Sequence, residues 1–310
     1  MTKLVSLSAA LAALLALLPA APAHALSVKT FVSSTGSGTT CSFAAPCGDF
    51  QAAHDATFAG GQIACLDSGV VGSAALTKTI TIDCAGTSAS SSNFTVNGAG
   101  IVVTIRNLEI FSPGLGIDFQ NGAALFVDNC VIRHMSFSPA LAIRFRPSAP
   151  GSQLVVTDTI TRNNGIAPST GGGIQVAPLA GGSAGVSLPR VTLGSNVTAM
   201  VLNGGSGLID AVMKDSLVTG NFTNGIAVLG TATLTIKNSQ LIHNVGTAIS
   251  AQGPTALVRL SDTLITGNQT GVSQNGGGSV LSYKNNEIIG NTTDGTPLTP
   301  VTGPGGTALQ

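Results

Sequence analysis

Nine short segments of this chain repeat one phrase at intervals of 22 to 32 residues. The phrase alternates apolar and polar residues, reaches an Asn or Asp, and six positions later usually meets another Asn. Clear copies are Leu234-Thr235-Ile236-Lys237-Asn238 running on to Asn244, Leu260-Ser261-Asp262 running on to Asn268, and Tyr283-Lys284-Asn285 running on to Asn291. A unit of that length cannot bury an apolar face alone, so successive copies must stack on one another. Taking the Asn or Asp of each phrase as an anchor gives Asp83, Asn107, Asn129, Asp158, a degenerate Arg190, Asp215, Asn238, Asp262 and Asn285.

Alternation before each anchor, as in Val103-Thr104-Ile105, demands a strand with one face turned inward. Leucine-rich repeats are excluded because their Leu spacing is missing, and helical arrays because no helix intervenes. The expectation is an all-β chain, a right-handed parallel β-helix of about nine coils with a short N-terminal helical cap. With strands about 4.8 Å apart, the rod is roughly 40 Å long. Equivalent Asn side chains then lie above one another and can form a hydrogen-bonded ladder; Asn107, Asn129, Asn238, Asn285, Asn244, Asn268 and Asn291 are its expected members. Composition agrees: Glu is scarce, while Thr, Val, Ile, Asn and 40 Gly suit strands broken by turns.

Residues 1–25 read as a secretory signal, with Lys3, an apolar run from Leu4 to Leu18, and a small-x-small site at Ala23-His24-Ala25. The expected mature product begins at Leu26, is periplasmic or secreted from a bacterial cell, and inserts into no membrane after cleavage. Residues 26–62 form the cap, 63–294 the β-helix and 295–310 a loose tail. Within the cap, Phe50, Ala53, Thr57 and Phe58 stand at helical spacing before Gly60-Gly61. An exported chain meets oxidising conditions, so Cys41 with Cys47 and Cys65 with Cys84 are the disulfide candidates, leaving Cys130 as a buried thiol. No Cys-x-x-Cys and no His cluster accompanies them, so neither a metal nor a cofactor is expected.

The anchors, the Cys41–Cys47 loop, Phe50-Gln51-Ala52-Ala53-His54-Asp55, Leu66-Asp67 and Thr77-Lys78-Thr79-Ile80-Thr81-Ile82-Asp83 together resemble the pectin-lyase-like superfamily. They resemble in particular its exported parallel β-helix repeat proteins. The resemblance covers nearly the whole mature chain and is specific for fold, not activity. Enzymes of that superfamily act mainly on acidic polysaccharides, using clustered carboxylates or calcium-bound acids with an Arg base. Here there is no Asp-Asp pair, no Asn-Thr-Asp and no Asp-Pro-His-Asp, and Asn291-Thr292-Thr293-Asp294 stands without partners.

Lys plus Arg equals Asp plus Glu at 13 each, which gives no electrostatic case for nucleic acid or an anionic membrane. One stretch departs from that balance. The two longest steps, 129 to 158 and 158 to 190, carry Arg133, Arg144, Arg146, Arg162 and Arg190 against a single acid, Asp158. Arg133 and Arg162 each lie four residues past an anchor and are expected to stack. Arg suits planar carboxylate or sulfate, and His134 and Gln153 could assist, so an anionic polysaccharide is the expected partner if this patch is a site. The competing reading, solvated outer-face arginines, is the favoured one. By the same logic Arg106, Lys214, Lys237 and Lys284, each just before an anchor, fill an outward strand position. The function expected is a non-catalytic binding or structural role at the cell envelope or exterior. The alternative is a lyase, hydrolase or epimerase acting on uronate-containing glycans.

Overall fold

The computed structural model describes residues 26–166 and 170–302, so the proposed signal segment lies outside the described residues. The chain winds as a right-handed parallel β-solenoid in which each coil contributes three strands. One coil runs Leu115–Asn121, Ala124–Asp128 and Val131–Arg133; the next runs Leu141–Phe145, Ser152–Thr157 and Ile160–Arg162. We call the three stacks the first, second and third walls. The third is a ten-stranded sheet of short strands, from Gly69–Val70 to Glu287–Ile288. The first and second merge into one sheet because Thr198–Lys214 and Asn224–Lys237 run through the corner between them.

Register explains the alternation. Ile117 sits beside Ile143 and Phe119 beside Phe145 on the first wall, Val127 beside Val156 on the second, and Ile110 beside Ile132 on the third. Each is fully or almost fully buried, so every wall sends one column of apolar side chains to the shared axis.

The turns explain the anchors. Asn107, Asn129, Asp158, Arg190, Asp215, Asn238 and Asp262 all have φ between 47° and 59°, and each opens the two-residue corner between the second and third walls. Asn and Asp tolerate that left-handed conformation better than other side chains, which is why they recur. Five residues on, a second left-handed position carries His134, Asn163, Ser195, Gly220, His243, Gly267 and Gly290. His134 and His243 therefore occupy turn positions.

Two asparagine ladders exist, where the sequence suggested one. The anchors form an outer row of separate links: Asn107 donates to Asp83, Asn129 to Asn107, Asn238 to Asp215 and Asn285 to Asp262, at 2.5–2.9 Å. The residues six further on form a continuous row, buried at Asn164, Asn196, Asn221, Asn244 and Asn268 and half-buried at Asn291, with the Asn196–Asn221 link made by the Asn196 backbone N–H. In that row Asn244 donates its amide to Asn268 Oδ1 at 2.9 Å and to the Val218 carbonyl at 3.3 Å. Its own Oδ1 accepts the backbone N–H of Asn221 at 3.2 Å and the Asn221 amide at 2.8 Å. All of its donors and acceptors are thus occupied. The row ends at Asp294, whose Oδ1 accepts from Asn291 at 2.9 Å where the next coil's amide oxygen would sit.

At the N-terminus, helix α1 (Phe50–Ala56) covers the end of the core and is capped by Asp49, which accepts from the Ala52 N–H at 2.6 Å. It stops at Ala56 because Thr57 is extended and pairs with Ser27. Phe58, expected on the helix, instead lies on the strand Thr57–Cys65 and is exposed. Ser27–Val32, inside the segment read as a cap, is a parallel strand that starts the second wall. At the other end Thr299–Pro300, read as loose tail, pairs with the strand Ser279–Ser282. Disulfides join Cys41 to Cys47 and Cys65 to Cys84, with Cα atoms 4.6 and 4.7 Å apart. Cys130 is free and buried, and its Sγ lies 3.3 Å from the Asp128 carbonyl. Ser216, at the matching place of a later coil, makes the same bond to Lys214 at 2.7 Å.

Candidate functional site

The five arginines of the two long coils do not form one patch. Arg133 and Arg162 are in register on the outer face of the third wall, as the spacing predicted. Arg144 and Arg146 lie at outward positions of the first wall, Arg144 on the strand Leu141–Phe145 and Arg146 just past it. Arg190 occupies the corner between the second and third walls.

Their charge is also smaller than the local sequence suggests. Arg144 binds Asp118 through two hydrogen bonds of 2.7 Å, and Gln120 donates to the same carboxylate at 2.7 Å. Burial pushes the Asp118 carboxyl up, but the bonds from Arg144 and Gln120 outweigh it and hold the group below the usual carboxylate range. Arg133 pairs with Glu109. Arg190 holds Asp158 at 2.6 and 2.7 Å, which lowers that carboxyl as well. Glu109 and Asp118 lie before the long coils, so a window over 129 to 190 misses them. Among the described residues Arg146 and Arg162 make no ion pair, although the Arg146 Nε is buried without a hydrogen-bond partner.

Arg162 has the better setting. It lines a notch of about 420 Å³ on the third wall together with Glu109, Asn107, Asn129, Val131 and the turn Ala85-Gly86-Thr87-Ser88. The outer anchor row supplies the amides: Asn129 donates to Asn107 at 2.8 Å, and among the described residues its own side-chain oxygen accepts no hydrogen bond. Beside the notch, the Arg133 guanidinium lies 4.9 Å from the Phe111 ring centre, and the His134 ring lies 5.2 Å from it. Arg133 and His134 approach at 3.4 Å. Phe111 is nearly half exposed, so an aromatic face, a fork-shaped cation and several amide and hydroxyl groups converge on one surface.

Of the sequence-derived residues, Arg133, His134 and Arg162 therefore meet, while Arg144, Arg146 and Arg190 stand on other faces. Gln153 lies on the second wall, its amide turned back to the Gly151 carbonyl at 3.0 Å. Sequence reasoning missed Glu109 and Phe111. The only signal was positional: both stand one coil below Val131 and Arg133 in register. Among the described residues no three His, Cys, Asp or Glu side chains gather in metal-ligand geometry.

A family described as right handed beta helix region matches residues 77–293. Among solved structures, the crystal structure of pectate lyase Pel9A is similar, with a TM-score of 0.62 and 14% identity. The match covers 87% of this chain and 78% of that one. At this identity the likeness is one of fold. No curated protein matches the chain.

Proposed function

The chain belongs to the right-handed β-helix family, and we propose that it serves outside the cytoplasm as a binding scaffold, holding an anionic saccharide in the notch of its third wall. The observation that carries this reading is Arg162, an exposed guanidinium without a carboxylate partner among the described residues, on the rim of a cavity lined by amides and hydroxyls. A cavity of about 420 Å³ suits one or two sugar rings. A ring carboxylate or sulfate would take the fork of Arg162, hydroxyls would bond Asn129, Thr87 and Glu109, and an apolar sugar face would rest on Phe111. Two disulfides suit an oxidising compartment, and among the described residues no helix is long and apolar enough to cross a membrane.

The alternative, cleavage of a uronate polymer, needs poised carboxylates or a metal, whereas Asp118 and Asp158 are each saturated by an arginine. The test incubates the protein with polygalacturonate, alginate and a neutral glucan, following both retention and the appearance of unsaturated or reducing ends. Salt-sensitive retention of the acidic polymers that falls about tenfold in Arg162→Ala, with no new chain ends, supports the scaffold. Chain cleavage, or retention indifferent to Arg162→Ala, defeats it.

A further inference from the structure

The outer face of the second wall points to a partner of its own: we propose that it joins two copies of this chain, stacked face to face in opposite directions about a two-fold axis through Ser187. The wall carries twelve parallel strands, from Ser27–Val32 to Thr299–Pro300, with Ser187 on the seventh. The nine strands centred on Ser187, from Ile80–Asp83 to Ser279–Ser282, form the contact face. One strand to either side of Ser187 stand Val155 and Val212; two strands to either side stand Phe126 and Thr235. A two-fold axis parallel to the strands reverses the order of coils and keeps each column facing itself. Val155 of one copy then meets Val212 of the other, and Phe126 meets Thr235.

The neighbouring column obeys the same rule with charges. Its centre is Pro189, and two strands to either side lie Asp128 and Lys237. Among the described residues neither makes an ion pair or a side-chain hydrogen bond within the chain. The axis brings them together, twice per dimer. In the third column Gly185 is central, and Val102 lies opposite Leu257, three strands to either side.

The centre of the face carries only Gly185, Ser187 and Pro189, small side chains that let two sheets approach. Under one operator Val155 meets Val212, Val102 meets Leu257 and Asp128 meets Lys237, while Phe126 packs on Thr235. The remaining facing pairs, such as Gln153 with Asp210, Thr157 with Lys214 and Thr104 with Arg259, bring no like charges together. Val212 is 46% exposed and Phe126 37%, both large for strand residues of a closed solenoid. A depression of about 450 Å³ beside Phe126, lined also by Asp128, Val155, Thr157 and an Arg106 already paired with Asp83, offers room for the partner's Thr235 and, against Asp128, its Lys237.

Size agrees. Nine strands at about 4.8 Å, each with about five residues at 3.3 Å, give a face of about 40 by 16 Å. That is about 650 Å² per copy and about 1,300 Å² in total, within the range of specific interfaces. The notch of the third wall stays open in this arrangement, so dimerisation is independent of saccharide binding.

Light scattering after size exclusion, on the mature chain from nanomolar to about 50 μM, tests the proposal, with circular dichroism confirming the fold of each variant. A dimer is expected for the natural protein. Asp128→Lys and Lys237→Asp should each weaken it about 100-fold, because the axis doubles every like-charge clash. The combination of the two should restore it, since each new lysine again faces an aspartate. Val212→Lys should also give monomer. Ser187→Cys should crosslink as a dimer with a short bismaleimide, the buried Cys130 staying unreactive. A monomer at every concentration, a dimer unmoved by Val212→Lys, or a failure of the charge swap to restore association overturns the proposal.

Discussion

The two halves of the solenoid satisfy the same turn in different ways. From Asp158 onward, the position six residues past each anchor is an asparagine, and these residues form the row from Asn164 to Asn291. Before it the same place holds Ala89, Pro113 and Met135, and the last of these ends the row by donating its N–H to Asn164 Oδ1. The N-terminal half instead has two disulfides, a helical lid and ring contacts between Phe50 and Phe94 and between Phe119 and Phe145. One coil geometry can thus be held by satisfied buried amides or by covalent and aromatic packing. The first is periodic and transmits from coil to coil; the second is local and anchors an end.

The sharpest way to break that contrast is at the middle of the amide row. Asn244→Ala removes the acceptor for two Asn221 donors and the donor to Asn268, leaving buried polar groups unpaired on both sides. A loss of about 4 kcal/mol in the urea unfolding free energy is expected. In the N-terminal half the comparable step is the Cys65–Cys84 link, which closes a loop of 19 residues. Replacing both with Ala should cost about 3 kcal/mol, with faster hydrogen exchange confined to the first coils.

Acid should separate the halves further. His54 is buried, hydrogen-bonds Asp55 at 2.9 Å, and accepts the Thr77 N–H on Nε2 at 3.2 Å. Burial lowers its pKa, with the nearby Lys78 adding to the effect and Asp55 opposing it. The unfolded chain therefore binds a proton more readily than the folded one. The contribution of His54 is complete above about pH 6.5 and is lost as pH falls from there through the lowered folded value. Exchange at residues 50–56 should accelerate over that window, while the amides from Asn196 to Asn268, which do not titrate, keep their relative protection; His54→Gln should abolish the difference.

The smallest effect is expected at Cys130. Its thiol, pushed up to about 12 chiefly by burial, stands where later coils have Ser216 and Ser239. Cys130→Ser should change stability by less than about 1 kcal/mol, and the natural thiol should react with maleimide only after denaturation.

Much of this was legible in the chain. The anchor spacing and the alternation before each anchor gave the coil, because a left-handed corner and a two-residue period are local requirements. Asn244, Asn268 and Asn291 stand out in the sequence as a second phrase element, but the spacing does not separate their ladder from that of the anchors. Spacing alone does not tell a buried amide from an exposed one, so nothing along the chain sets Asn164, Asn196 and Asn221 apart as members of the buried row. The arginine region misled in a related way. Counting charge along 129 to 190 left Glu109 and Asp118 outside the window, although they are the nearest carboxylates in space to Arg133 and Arg144.

By itself the sequence determined the pitch of the coil, the chemistry of its corners and the apolar columns, since each depends on residues close together along the chain. Only the tertiary structure decided which charges cancel, which amides are buried, and which face each arginine shares. Those outcomes depend on lateral register between strands two to three dozen residues apart, where a shift of one residue turns a side chain from core to solvent.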